Sequence, residues 1–418
     1  MKKKICIFCS LPSFNTGMPI STYKLAAGLV KGGRFDVCAV LPGEGELAER
    51  MRSAGVEVDI IPFSRLRANP ALLPRFFAGW IRAGLRLYKY VRRNGVDVAH
   101  FSDVIDAPFY PWARIAGARV AAHVRVCAGG PVVRTLFRIW TDIFCSRVIT
   151  VSRFVRRYYG FRERAAVVYN PGPDREVFDI DKYRGDNYKC QDVVNNAGGD
   201  FYGNGGQWAS VPLSLTITQS SIINDKVPAV LAVASFRRDK GHHNFIEIAA
   251  GVRERVSGDV RFVIVGGMVR GHERYYDEVM AAARRRGLGG CLTVTGNVPH
   301  ERVPQIMANA AALVHAPDWE EALGGVILEA MAMGVVPVAY DCGGVGECFT
   351  DGVSGFLVMR GDFDGAAEKT VSLLESPELR QRMALSARRE LDEKFTLKSY
   401  IGNVEKIYDE IYTGGGAA

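Results

Sequence analysis

DWEEALGGVILEAMAMGVVPVAYDCGGVGE, residues 318–347, is the stretch around which the chain is organised. Glu321 and Glu329 stand eight positions apart, and Gly324 and Gly325 lie between them, ahead of the apolar run Val326, Ile327, Leu328. Residues 328–333 favour helix and end at Gly334, a residue suited to a left-handed helix cap. A strand over 335–339 follows and contains Pro337. The order is loop, helix, strand, with Glu321 on the loop, the two glycines at the helix start and Glu329 on the second turn. A helix that starts without bulky side chains offers its backbone N–H groups and its positive dipole end to a phosphate. A carboxylate one turn further in can accept two hydroxyl hydrogen bonds, as from a ribose, and a carboxylate before the helix can hold what hangs from the phosphate. The eight-residue spacing alone would suit any amphipathic helix with a solvated Glu. The glycines and the strand around it point to a nucleotide-sugar site.

Apolar strands alternate with helical patterns on both sides of this stretch. Strands are expected at 5–9, 37–41, 56–61, 98–101, 119–124, 148–151 and 166–169, and helices at 22–31 and 46–54. The pattern resumes with strands at 230–235, 261–266, 291–295 and 312–315, helices at 244–255 and 275–286, and a last helical segment at 386–412. Such alternation predicts parallel sheets covered on both faces, with ligands at the carboxyl ends of the strands. Between 179 and 226 the composition turns polar, with Asn, Gly and Ser clusters, as expected of a linker enlarged by an insertion. The glycines at 198–206 neither follow a strong strand nor open a helix, so they do not read as a phosphate loop. The domains are therefore expected at 1–178 and 227–396, with 179–226 as the linker and a helix over 397–413 returning to the first domain.

At 418 residues and 48% hydrophobic, the chain can bury two sizeable cores. It has no run of 18 apolar residues, so no membrane-spanning helix is expected. The opening MKKKICIFCSLPSF is too short in its apolar part for a secretion signal and reads as a first strand. Nine scattered cysteines fit free thiols in a reducing compartment, and the Cys6/Cys9 pair lacks the second pair that a zinc site needs. Residues 1–180 carry 28 Lys+Arg against 14 Asp+Glu, an excess of 14, and the remainder 25 against 31, a deficit of 6, which together give the net +8. The first half would attract anions. Residues 65–93 form a basic amphipathic helix: Leu73, Phe76, Phe77, Trp80, Ile81, Leu85, Tyr88 and Val91 on one side, Arg75, Arg82, Arg86, Lys89 and Arg93 on another. It suits an anionic membrane surface, or equally a domain helix with solvated arginines; the basic, aromatic stretch 134–159 favours the membrane. No nucleic-acid recognition motif accompanies the charge, so nucleic acid is not an expected partner.

Further candidate residues sit at strand ends. Arg237, Arg238 and Lys240 follow the strand 230–235, where cations suit a diphosphate leaving group, and Gly241 gives the backbone room. His123 ends an apolar strand and could bond a sugar hydroxyl or act through its carbonyl; a buried, satisfied histidine fits equally well. Gly17, in the first loop, could let backbone approach a ligand. Asp179 and Asp181 have a metal-diphosphate spacing but no strand leads into them, and His242/His243 lack carboxylate or thiol neighbours at ligand spacing.

In this order these residues resemble the GT-B glycosyltransferases of retaining family 4. The resemblance runs through residues 5–41, VVYNPGPDREVF (167–178), LAVASFRRDKGHHNFIEIA (231–249) and RFVIVGG (261–267), and is strongest over 295–358. It implies two Rossmann-like domains with parallel sheets facing an interdomain cleft, and the donor in the C-terminal one. It implies that Glu329 holds the donor ribose, Glu321 the donor sugar, and Lys240 with Arg237 the diphosphate. Gly324, Gly325 and Val326 would give backbone contacts, Val298 would lie at the base, and His123 near the transferred sugar. Gly17 matches one of a glycine pair whose partner position is Met18 here; Ser235 and Gly346 stand where the family often has Arg and Pro. The implied reaction is metal-independent, needs no cofactor, and moves a hexose with retention from a UDP- or GDP-sugar to an acceptor hydroxyl; the basic amphipathic helix makes a lipid-linked or surface-polysaccharide acceptor at the cytoplasmic membrane face the expected one. A nucleotide-sugar epimerase, which needs no acceptor, and a non-catalytic binding module are the competing classes.

Overall fold

The computed structural model describes residues 2–14, 17–63, 73–162, 165–183 and 227–414, the side chains of 73–76 excepted. The expected insertion at 184–226 and the 65–72 part of the basic helix lie outside the described residues. The chain divides into two units, Met1–Pro171 with Phe395–Ala418, and Gly172–Lys394.

The first unit holds a parallel sheet of β1 (Lys3–Phe8), β2 (Phe35–Leu41), β3 (Glu57–Ile60), β4 (Val98–Phe101), β5 (Arg119–Val124), β6 (Arg147–Thr150) and β7 (Ala165–Val167), in the order β3-β2-β1-β4-β5-β6-β7. The second holds β8 (Ala229–Val233), β9 (Arg261–Val265), β10 (Leu292–Val294), β11 (Ala310–His315), β12 (Val336–Tyr340) and β13 (Phe356–Val358), in the order β10-β9-β8-β11-β12-β13, also parallel throughout. Both sheets match the expected α/β class. Central strands are near-continuous apolar runs because both faces are covered, and β4 is buried at every position, whereas the edge strand β3 alternates with solvent. Each sheet reverses its strand order beside its first strand, between β1 and β4 and between β8 and β11. Loops diverge there and leave a crevice at the carboxyl ends. Pro337 in β12 is tolerated because β13 pairs only from Val338 onward.

The single helical segment expected over 386–412 is corrected to two helices, Pro377–Lys394 and Leu397–Thr413. Buried Phe395 and the cap Thr396 separate them, and the Thr396 hydroxyl accepts the Ser399 N–H at 3.0 Å. The second helix buries Tyr400, Val404, Ile407, Tyr408 and Ile411 in the core over β1 and β2. The first helix begins at Gly17 rather than residue 22, since Pro19 falls in its first turn, where the missing N–H costs nothing. Helices Tyr110–Ile115, Pro131–Phe144, Arg153–Tyr158 and Phe363–Glu375 and the three-residue β13 were not among the expected elements.

A polar network is enclosed at the carboxyl ends of β4 and β5. His123 Nδ1 lies 3.3 Å from His100 Nε2, and His100 Nδ1 lies 2.8 Å from the Tyr408 hydroxyl. Arg125 donates to Tyr400 Oη at 2.8 Å and to the Ser102 carbonyl at 2.5 Å. Burial, and then the Arg125 charge, hold both histidines well below the usual imidazole range. The His123 ring is fully buried. In this conformation it offers no contact to a sugar.

Candidate functional site

The second unit brings Lys240 and Glu321 together across the β8/β11 reversal. Lys240 leaves the loop after β8 and Glu321 the loop after β11; Lys240 Nζ donates to Glu321 Oε1 at 2.7 Å, with both side chains mostly covered. Two glycines allow the approach. Gly241 has φ +69°, and a Cβ there would fall 1.9 Å from the Ala316 carbonyl oxygen. Gly343 has φ +65°, and a Cβ there would fall 2.1 Å from the Glu321 carbonyl oxygen, which instead accepts the Gly344 N–H at 2.7 Å. Only Gly fits positions that combine left-handed backbone with such contact.

Asn244 and Asp318 tie the two loops. Asn244 Nδ2 donates to the Ala316 carbonyl at 2.9 Å and to Asp318 Oδ1 at 2.8 Å. The Asp318 N–H donates to the Asp239 carbonyl at 3.1 Å, and His243 Nε2 stands 3.1 Å from Asp318 Oδ2. Arg237 is bound within its own loop by Asp239, at 3.0 and 2.7 Å, and Arg238 by Glu278. Lys240 is thus the cation of this loop that reaches Glu321.

Glu321 and Gly324 precede the helix Gly325–Ala332, which has no side-chain cap at its start. A Cβ on Gly325 would meet nothing within 4 Å, so that side of the residue is open, while its N–H donates to the Leu323 carbonyl at 3.0 Å; a Cβ on Gly324 would press on Ile327. Val326 is half-buried, as is Glu329 on the second turn, whose Oε1 lies 2.9 Å from His300 Nε2. Val298 lies half-buried in the loop after β10. Gly17 opens the first helix of the other unit, in open space. Asp179 caps a local turn through the Asp181 N–H at 3.1 Å. Among the described residues no group of three His, Cys, Asp or Glu side chains could hold a metal, the cysteines are free, and no helix is long and apolar enough to cross a membrane.

The sequence reading missed His300, Asn244, Asp318 and His315. His315 ends β11, is buried, and among the described residues has no hydrogen-bond partner at Nε2. Burial pushes it down to about 4, with the Lys240 charge adding to the effect and Glu321 opposing it. His242, which stacks on Phe236 at 4.2 Å, is pushed down to about 4 mainly by burial, with His243 and Lys240 adding to it. Both pKa values are lower folded than unfolded, so the unfolded chain takes up protons first as pH falls. Their contribution is full above about pH 6.5 and is lost progressively towards pH 4. The melting temperature of the second unit should therefore fall between pH 7 and 5, and His315→Asn should flatten that fall; an unchanged slope would contradict the burial assigned to His315.

Residues 215–390 match the family model described as glycosyl transferases group 1. An alpha-D-kanosaminyltransferase of Streptomyces kanamyceticus is 37% identical over 187 residues, 45% of this chain and 47% of that enzyme. The chain thus matches about half of that relative's length. A 2-deoxystreptamine N-acetyl-D-glucosaminyltransferase of Streptomyces fradiae is 27% identical over 362 residues, 83% of this chain and 79% of that enzyme. The Anabaena protein HepE, solved in complex with UDP, superposes with a TM-score of 0.73 at 18% identity over 98% of this chain and 100% of that one, a likeness of fold.

Proposed function

We propose, from the match of residues 215–390 to the glycosyl transferases group 1 model and the GT-B likeness of the fold, that this chain moves a hexose from a UDP- or GDP-sugar to an acceptor hydroxyl, with retention at the anomeric carbon and without a metal. The observation that carries the proposal is the Lys240–Glu321 contact of 2.7 Å beside an uncapped helix start, with Glu329 one turn further in. Lys240 and the N–H groups at Gly324 and Val326 neutralise the diphosphate, with Gly325 assisting once its N–H leaves the Leu323 carbonyl and Arg237 once it parts from Asp239. Glu329 accepts the ribose hydroxyls, Val298 borders the base, and Glu321 holds the donor sugar. As the bond from the anomeric carbon to the phosphate oxygen breaks, the acceptor oxygen bonds that carbon on the same face. The departing phosphate takes the acceptor's proton. Positive groups aimed at the leaving oxygen lower the barrier because charge develops there. His123 enters only through its backbone carbonyl, its ring being enclosed, and Gly17 through its backbone.

The hexosyl transfers named for the two curated relatives support the reaction class. The acceptor is proposed to be lipid-linked or a surface polysaccharide, docked on the basic first unit at the cytoplasmic membrane face; a deoxystreptamine-type acceptor, as named for one relative, is the competing reading. Thermal melting across UDP, GDP and their sugars tests the donor. A donor at 100 times its Kd should raise the transition by about 5–10 °C. If no nucleotide shifts it, the donor site is misassigned.

A further inference from the structure

We propose that the first unit docks on an anionic bilayer through two neighbouring helices, Leu73–Asn94 and Pro131–Phe144, and that the second of these is the inserting element. The inference rests on the membrane placement proposed above and gives it a surface.

On helix 131–144, Val132, Leu136, Ile139 and Ile143 fall on one stripe and are 46–72% exposed. The opposite side of that helix buries Phe137 and Thr141. On helix 73–94, Phe77, Ile81 and Leu85 recur every four residues and are about half exposed, while Ala83, Leu87 and Val91 are buried. Exposed apolar residues scattered singly need no explanation, but two helical stripes in one unit do. Both helices are tied to one segment, 104–115, that touches each of them. The Trp80 indole donates to the Pro108 carbonyl at 2.8 Å, and the Trp140 indole to the adjoining Ala107 carbonyl at 2.9 Å. Trp80 also packs edge-on against Trp112, 5.8 Å away. Ile115, 68% exposed, ends the short helix that carries Trp112.

Charge decides the occupant. Helix 73–94 contains no carboxylate, and Arg82, Arg86, Lys89, Arg92 and Arg93 on it are exposed. Helix 131–144 adds Arg134 and Arg138 against the single Asp142. A second copy paired by two-fold symmetry would set cations against cations, which is unfavourable. An anionic headgroup layer satisfies the cations while its acyl region receives the apolar stripe, the geometry of a helix lying in the interface. Helix 131–144 has the fewer charges and the more exposed stripe, and so seats deeper.

The test is co-sedimentation of the full chain with phosphatidylglycerol/phosphatidylcholine vesicles and with phosphatidylcholine alone, at low and high salt. Binding is expected only to the anionic vesicles and mainly at low salt. Leu136→Ser/Ile139→Ser, and separately Arg82→Glu/Arg86→Glu, should weaken it at least tenfold. The stabilisation of both double variants by UDP should be unchanged, which also shows that they fold. No binding to anionic vesicles, or binding that neither variant weakens, overturns the proposal. So does a dimer in solution that Leu136→Ser/Ile139→Ser dissociates, since the stripe then belongs to a second copy. Loss of UDP stabilisation in the native chain, with vesicle binding intact, would instead count against the donor site.

Discussion

Lys240→Ala should lower kcat/KM for sugar transfer by about 10²–10³, with most of the loss in kcat, because removal of one preorganised donor from developing charge costs about that much. Lys240 is the cation that reaches Glu321, at 2.7 Å; Arg237 and Arg238 are engaged by Asp239 and Glu278. The fold should survive. The pair is partly exposed, and ion pairs of that kind contribute about 1 kcal/mol or less. Glu321→Gln keeps the size of the side chain and removes its charge, so Lys240 loses its partner without a cavity forming. The double variant should cost less than the product of the two single losses, since the groups act on one site. Initial rates with a UDP-sugar donor, alongside melting curves, separate these effects. A Lys240→Ala enzyme with unaltered kcat would show that another group neutralises the leaving diphosphate.

Gly241→Ala should damage both fold and site. A Cβ there meets the Ala316 carbonyl oxygen at 1.9 Å and the Pro317 Cα at 3.0 Å, which are backbone atoms and cannot swing aside. Its φ of +69° adds strain for any residue with a Cβ. The Ala316 carbonyl is held by Asn244, so relief requires the 237–241 loop to withdraw, and Lys240 goes with it. A loss of about 2–4 kcal/mol is expected, read from denaturant unfolding, together with loss of UDP stabilisation. Gly325→Ala is the contrasting variant. Its Cβ enters open space, so stability should hold while the methyl group blocks the phosphate approach to the helix start. A Gly241→Ala protein with native stability would mean that the two loops are not clamped as described.

Central strands were legible because burial on both faces leaves continuous apolar runs; β4 and β5 fall on the expected residues, 98–101 and 119–124. β13 was not, since three residues at a sheet edge carry too little pattern. The break between the last two helices rests on one capping threonine inside otherwise helical sequence, so the pattern over 386–412 reads as one segment, although the last helix itself falls on the expected 397–413. At the site, the paired glycines and the helical run ending at Gly334 put Glu329 on the helix and Glu321 on the loop before it. That Lys240 meets Glu321, 81 residues away, followed from the family resemblance and from both strands ending at a sheet reversal, not from local pattern. The Arg237–Asp239 pair, two residues apart, was there to be read and would have marked Arg237 as engaged. The His300–Glu329 and Asn244–Asp318 contacts join residues 29 and 74 apart, and no local signal announces them.

Calorimetric titration of the native chain with UDP, UMP and uridine, and with GDP and guanosine, in the presence of EDTA tests most directly whether these groups grip a sugar diphosphate without a metal. UDP should bind at least tenfold more tightly than uridine, with UMP between them, or GDP as much more tightly than guanosine, and Lys240→Ala should erase most of the difference. Equal affinity for UDP and uridine and likewise for GDP and guanosine, or diphosphate binding that vanishes in EDTA and returns with Mg²⁺, would contradict it.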